Sequence, residues 1–464
     1  MGIITETIFD RIEYELNTEK SEARLRACVD KKRIGEVVVP SFISHGGCVY
    51  TVTCIGGGAF AECCNLTSII LPESVKSIER SAFRDCRSLN SVNIPEGITS
   101  LEYNVFADCF SLSYIDIPKS VTIIGIATFA NCSGLTTITI PESVKCICSY
   151  AFRDCSMLTT INIPAGIKVI HDGSFQNCHN LVSINIPESV THIGKESFSG
   201  CYNLSSIYIP NSLKVIGHCA FSGCKSLRSV NIPNNVESMG EQVFSECTNL
   251  ISAIMPNSIK EIGSKMFYKC SNLESINIHE NITVIGEEAF LGCSSLVSIN
   301  IPKRVIFIFD KAFEGCINLI SVNIPKDSRL MHIGSKSFHN CSSLTSFTIP
   351  NTQMNVIGKL LFRCRNYLSN IENVAGIIGA KYFAKFTMKL FSIFGSVMNI
   401  EWGAFYNCSQ LRDVYCYRKD VPDALGAFLD EDISTMTLHI PKKAIEKYKK
   451  VKPWNKFGKI EAFK

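Results

Sequence analysis

The sequence predicts an α/β repeat solenoid, with a parallel β-sheet on its concave face and short helical turns on its convex side. Three observations carry that expectation. Phenylalanine returns at a fixed interval of 23 residues, from Phe60, Phe83 and Phe106 without a slip to Phe290 and Phe313. A cysteine stands three places after almost every one, from Cys63 and Cys86 to Cys316 and Cys341, and a leucine three places later, as at Leu66 and Leu89. Between the leucine and the next phenylalanine lie Ile-x-Ile-Pro, a Val or Ile, and Ile-Gly-x-x-Ala-Phe. A unit this short cannot bury its own apolar face, so it must stack on its neighbours and build one long surface.

Each element follows from its residues. Residues 8 to 53 alternate as strands do, at Tyr14 and Leu16, Ala27 to Val29, Val37 to Val39 and Tyr50 to Thr53, and are expected to close the first turn as hairpins. Residues 1–54 are therefore read as an N-terminal β-hairpin cap and 55–350 as regular repeats. Within one repeat, Ile184 and Ile186 alternate with Ser183 and Asn185, the period of a half-buried strand. Pro187 ends it, because proline cannot donate to a sheet ladder. From Gly194 to Cys201 the apolar groups fall three or four apart, which suits a helical turn. The glycines of this position, Gly125, Gly194, Gly217, Gly263 and Gly286, are expected to let the chain turn into that segment.

The later anchors Phe338, Phe362, Phe383 and Phe405 drift in spacing, so 351–417 is read as degenerate repeats. Lys381, Lys385 and Lys389 among aromatics imitate a basic amphipathic helix, but Ile378-Gly379 precedes Phe383 as in an ordinary repeat. Residues 418–464 form a C-terminal cap: Leu438 and Ile440 a strand, Ala444 to Lys450 a short helix, and Pro453, Trp454 and Phe457 a plug.

With these residues in view, the chain resembles the BspA-like leucine-rich repeat proteins over roughly residues 34–464. The resemblance implies a leucine-rich-repeat arc, and a cell-surface or secreted protein that acts in adhesion or ligand recognition without catalysis. Its last residues look like that family's C-terminal cap.

Composition narrows the function further. The net charge of +4 is small for 464 residues, and no basic cluster lies inside the repeats, so nucleic acid is not an expected partner. The densest run, Lys442 to Lys452, is the solvated face of the cap helix. No apolar stretch is long enough to span a membrane. Met1 to Glu6 has neither a charged n-region nor an apolar h-region: the chain is cytoplasmic if untrimmed, or an export signal has been removed. A monomer is expected. Of the 23 cysteines, fourteen share one repeat position between inward Phe and Leu, where a small apolar side chain packs well. Each would have two equivalent neighbours about 4.8 Å away, which specifies no disulfide partner. The expectation is a reduced ladder, in a cytosolic or anaerobic setting.

Chemistry is sparse. The nine histidines form no recurrent nucleophile and base arrangement, no phosphate-cradling loop occurs, and no cofactor is expected. By repeat offset, Cys148 should lie beside His171, with Cys146 two turns from His192, donors that zinc would accept. What remains is the concave face. Its outward strand positions form one column of Ser68, Ser91, Thr160 and Ser183, and another of Asn93, Asn162, Asn185 and Asn231. Tyr114 with Asp116, and Tyr208, interrupt these columns with groups enriched at binding hot spots. The expected function is non-catalytic recognition or adhesion, with a protein or glycan partner, host-derived ones included. It would be bound through Tyr114, Asp116, Asn162, Asn185, Tyr208 and Asn231. The alternative is a structural spacer without a binding face of its own, and a zinc-dependent activity stands third.

Overall fold

The computed structural model describes residues 4–32, 35–351, 398–429 and 431–463. They divide into two compact units, Met1–Ser258 and Ile259–Lys464. The anchors Phe362 and Phe383, and the basic segment from Ala375 to Phe394, lie outside the described residues.

The first unit opens with six strands, β1 (Ile4–Phe9), β2 (Ile12–Asn17), β3 (Glu22–Cys28), β4 (Gly35–Val38), β5 (Phe42–His45) and β6 (Cys48–Ile55). Five of them form a sheet in the order β1-β2-β3-β6-β5. Its inner side buries Ile12, Tyr14 and Leu16 of β2 against Ala23 and Leu25 of β3. Two strands hand this cap on to the repeats. β4 pairs in parallel with Leu66–Ile70, and β6 with Ser77–Ile78.

Two parallel ladders then run through the repeats. The first is the expected one, as where Ser183–Asn185 pairs with Ser206–Tyr208 in a register of 23 residues. The second consists of two-residue strands such as Val169–Ile170, His192–Ile193, Val215–Ile216 and Ser238–Met239, also joined in parallel.

The stretch around each phenylalanine is not the expected helical turn, and its backbone shows why. Ser81 and Asp85 flank Phe83 with φ of 57° and 60°, and Gly173 and Asn177 flank Phe175 with 60° and 58°. A left-handed residue two places to either side prevents a continuing helix. The amides of Ser81, Phe83 and Asp85 instead donate to Tyr103, Val105 and Ala107 of the next turn at 2.8 to 2.9 Å. This is a third row of inter-turn hydrogen bonds, so the unit is a β-solenoid with very little helix. The repeat glycines serve a different purpose from the one expected. Gly125 and Gly217 carry no positive φ, but a Cβ on either would lie 2.6 Å from backbone of the preceding turn, from Leu101 O and Gly194 C respectively. Close approach of successive turns excludes a side chain there.

Between the ladders sits the core. Phe60 to Phe244 form a stack with ring centroids 5.4 to 5.8 Å apart, every ring essentially inaccessible to solvent. Beside it the column thiols donate to the preceding turn's phenylalanine carbonyl, as Cys86 does to Phe60 O at 3.1 Å and Cys178 to Phe152 O at 3.1 Å. Burial pushes Cys86 and Cys201 up to about 12, and Cys109 and Cys132 well above the usual thiol value. Among the described residues no cysteine is joined in a disulfide.

The second unit repeats this plan. Glu261–Ile262, Val284–Ile285, Phe307–Ile308, His332–Ile333 and Asn399–Ile400 make its second ladder. Its first ladder ends Ser346–Ile349, Asp413–Cys416, Thr437–Ile440 and Lys459–Ala462. The ring stack passes from Phe338 directly to Phe405 at 5.7 Å and then to Phe428 at 5.2 Å. A one-turn helix, α1 (Ile445–Tyr448), and buried Trp454 close this end, the indole N–H donating to Pro422 O at 2.9 Å.

Candidate recognition surface

Strand alternation turns Ile184, Ile186 and their equivalents inward and leaves the intervening side chains in solvent. On this face of the first unit Tyr114 is 63% and Tyr208 54% exposed. Tyr208 sits in register with Asn185, and its hydroxyl donates to Glu188 Oε1 at 2.7 Å, a bond that raises the phenol's pKa. The ring is thereby held while more than half of the residue stays exposed. Asp116, Asn185 and Asn231 are exposed as well.

Asn162 is engaged elsewhere. Its Oδ1 accepts from Ile140 N at 2.8 Å and its Nδ2 donates to Ile140 O at 2.7 Å, extending the ladder by a side chain. Asn93 does the same with Leu71. The two asparagines thus satisfy backbone groups of the previous turn. Nearby in the turns, His179 stacks on Tyr202 at 4.5 Å and Lys225 Nζ lies 4.4 Å from the same ring's centroid.

The second unit carries a groove of about 470 Å³ on its first ladder. It is lined by the polar residues Asn300, Ser321, Asn323, Ser346 and Thr348 and by Ile278, Glu280, Pro302 and Pro325. Asn323 donates to Asn300 Oδ1 at 2.7 Å, so stacked asparagines bond to one another here. Sequence reasoning passed over this groove because its residues keep the column pattern.

Of the four residues considered for zinc, three gather. Cys146 Sγ lies 3.4 Å from Cys148 Sγ and 3.7 Å from His171 Nε2. His192 is apart, bonded to Thr191 Oγ1 at 2.8 Å. A different set also gathers: among the described residues, ligand atoms of Asp310, His332 and Glu401 all lie within 4.8 Å of one another.

Comparison with known proteins fits this geometry. The family model for the BspA type leucine rich repeat region matches residues 53–182, 168–297 and 285–412. A leucine-rich repeat protein from Bacteroides ovatus is 30% identical, over 74% of this chain and 94% of its own, with a TM-score of 0.65. A protein described as a leucine rich cell surface protein, from Faecalibacterium prausnitzii, is 27% identical over 74% of this chain and 93% of its own, with a TM-score of 0.52. No curated protein matches. No helix among the described residues is long and apolar enough to cross a membrane. The repeat consensus, its two strand ladders and the match across most of the chain make this protein a member of the BspA-type leucine-rich repeat family.

Proposed function

We propose that this chain is a non-catalytic recognition or adhesion protein of the cell surface, binding a protein or glycan through the exposed face of its first ladder. One observation carries the reading. Two exposed tyrosine rings, Tyr114 and Tyr208, stand in columns made mostly of short polar side chains, which the exposed Ile254 also interrupts. Short polar groups exchange water for partner contacts at little net gain. An aromatic ring brings a large contact area, and tyrosine is enriched among residues that dominate binding energy. The cell-surface relative from Faecalibacterium prausnitzii supports the setting. Asp116 beside Tyr114, and Asn185 beside Tyr208, add the hydrogen-bonding groups that a glycan or a peptide backbone would meet.

The test begins with an array of glycans and extracellular host proteins probed with the full chain. Affinity for any hit is then compared for wild type, Tyr114→Ala, Tyr208→Ala and Lys195→Ala at one salt concentration. Each tyrosine change should weaken binding by about 1 kcal/mol or more, the scale that marks contributing interface residues. Lys195, exposed outside this face, should be neutral. Equal affinities for all four proteins would refute the site. An array without hits would favour a spacer that binds nothing itself.

A further inference from the structure

Three successive turns of the second unit each send one metal-ligating side chain to the same place. Asp310 comes from the turn of Phe313, His332 from the next, and Glu401 from the turn stacked on that one. The middle turn makes room for the meeting. Gly334 has no side chain, and a Cβ there would stand 2.5 Å from Asp310 Oδ1. The carboxylate of Asp310 is oriented by the backbone N–H of Ser335, which donates to Oδ1 at 3.0 Å. His332 is completely buried, and its Nε2 lies 3.8 Å from Glu401 Oε1, too far for a hydrogen bond. Phe307 and Phe309 stand 6.4 and 6.2 Å from the imidazole and give the site an apolar wall.

We propose that Asp310, His332 and Glu401 bind one divalent transition cation. Two carboxylates and an imidazole form an oxygen and nitrogen donor set of the kind that suits manganese, iron or zinc. With bonds of about 2.1 Å, ligand atoms around one ion lie roughly 3 to 4 Å apart, so the present spacing needs only small side-chain rotations. The orienting N–H of Ser335 is the outer-shell support that such ligands ordinarily have. The ion would bridge residues 69 apart in sequence (401 minus 332), fastening the turn of Phe405 to the turns before it. This assignment is independent of the recognition surface.

Manganese is the probe of choice, because thiols compete for it weakly and this chain has many. The full chain, stripped with chelator and dialysed, is titrated with manganese chloride by calorimetry and by loss of the free-ion electron paramagnetic resonance signal. One equivalent should bind, and bound metal should raise the melting temperature. Asp310→Asn and Glu401→Gln should each weaken binding by about tenfold or more, since even outer-shell changes cost that much. Both variants keep side-chain size, so circular dichroism should remain that of wild type. The double variant Cys146→Ser with Cys148→Ser should bind as wild type does. No uptake by wild type, unchanged uptake in both carboxylate variants, or loss confined to the cysteine variant would each overturn the assignment.

Discussion

Phe221 shows what one residue does in such a chain. Its ring is wholly buried between Phe198 at 5.4 Å and Phe244 at 5.7 Å. Removing it takes away the transfer energy of the side chain, leaves a cavity and breaks two stacking contacts. Phe221→Ala should therefore destabilise its region by about 3 to 5 kcal/mol. Thermal unfolding indistinguishable from wild type would contradict this. The phenylalanine and cysteine columns were legible in the sequence because burial restricts which side chains fit, and the same types recur. The residues beside each ring were not. Ser81, Asn104, Tyr150, Glu196 and Lys311 all take a left-handed φ at equivalent positions, and no shared chemistry marks them. Glu401 was hidden for another reason: counted in steps of 23 from His332 it falls three turns away, whereas the structure puts it in the next.

At the scale of elements, the junction of cap and repeats is held by a charged pair. Glu79 accepts from Arg24 Nε at 3.0 Å and Nη2 at 2.6 Å, from Gly57 N at 2.8 Å and from Cys54 Sγ at 3.3 Å. Strand β3 is thereby tied to the first turns of the second ladder. The Arg24 hydrogen bond is the main cause that lowers the Glu79 carboxyl from 4.5 to about 2. A depressed folded pKa gives stability that is complete above 4.5 and lost as pH falls toward 2. Both side chains are about a third exposed, so water screens the pair and the contribution stays below about 1 kcal/mol. Melting temperatures of wild type and Glu79→Gln, measured from pH 7 down through this window, should differ most at neutral pH and converge in acid. A constant gap would mean that the carboxylate charge is not what matters. The second ladder itself escaped sequence reading, because two-residue strands such as Val215–Ile216 are too short to display a period.

For the whole molecule, the decisive property is that each turn bonds chiefly to its neighbours. Stability in such an array is a sum of local terms and nearest-neighbour interfaces, so opening can be local. Covered ends follow from this. The described C-terminal residues bury Trp454, Tyr448 and Phe457 where the ladder stops, and the N-terminal residues continue both ladders into β4 and β6.

The thiol column turns that property into a readout. Its cysteines occupy one repeat position, lie wholly buried, and donate to the preceding turn in the same geometry, from Cys86 on Phe60 to Cys247 on Phe221 in the first unit and from Cys293 on Phe267 to Cys408 on Phe338 in the second. Their intrinsic reactivities once exposed should therefore be nearly equal, and any difference in labelling rate should report how often each turn opens. Native-state alkylation followed by peptide mass analysis would give an opening free energy turn by turn, without a single engineered probe. The rates should spread along the column; one common rate would mean that the array opens only all at once. The repeat carries its own strain gauge, with a graduation every 23 residues from Cys63 to Cys316.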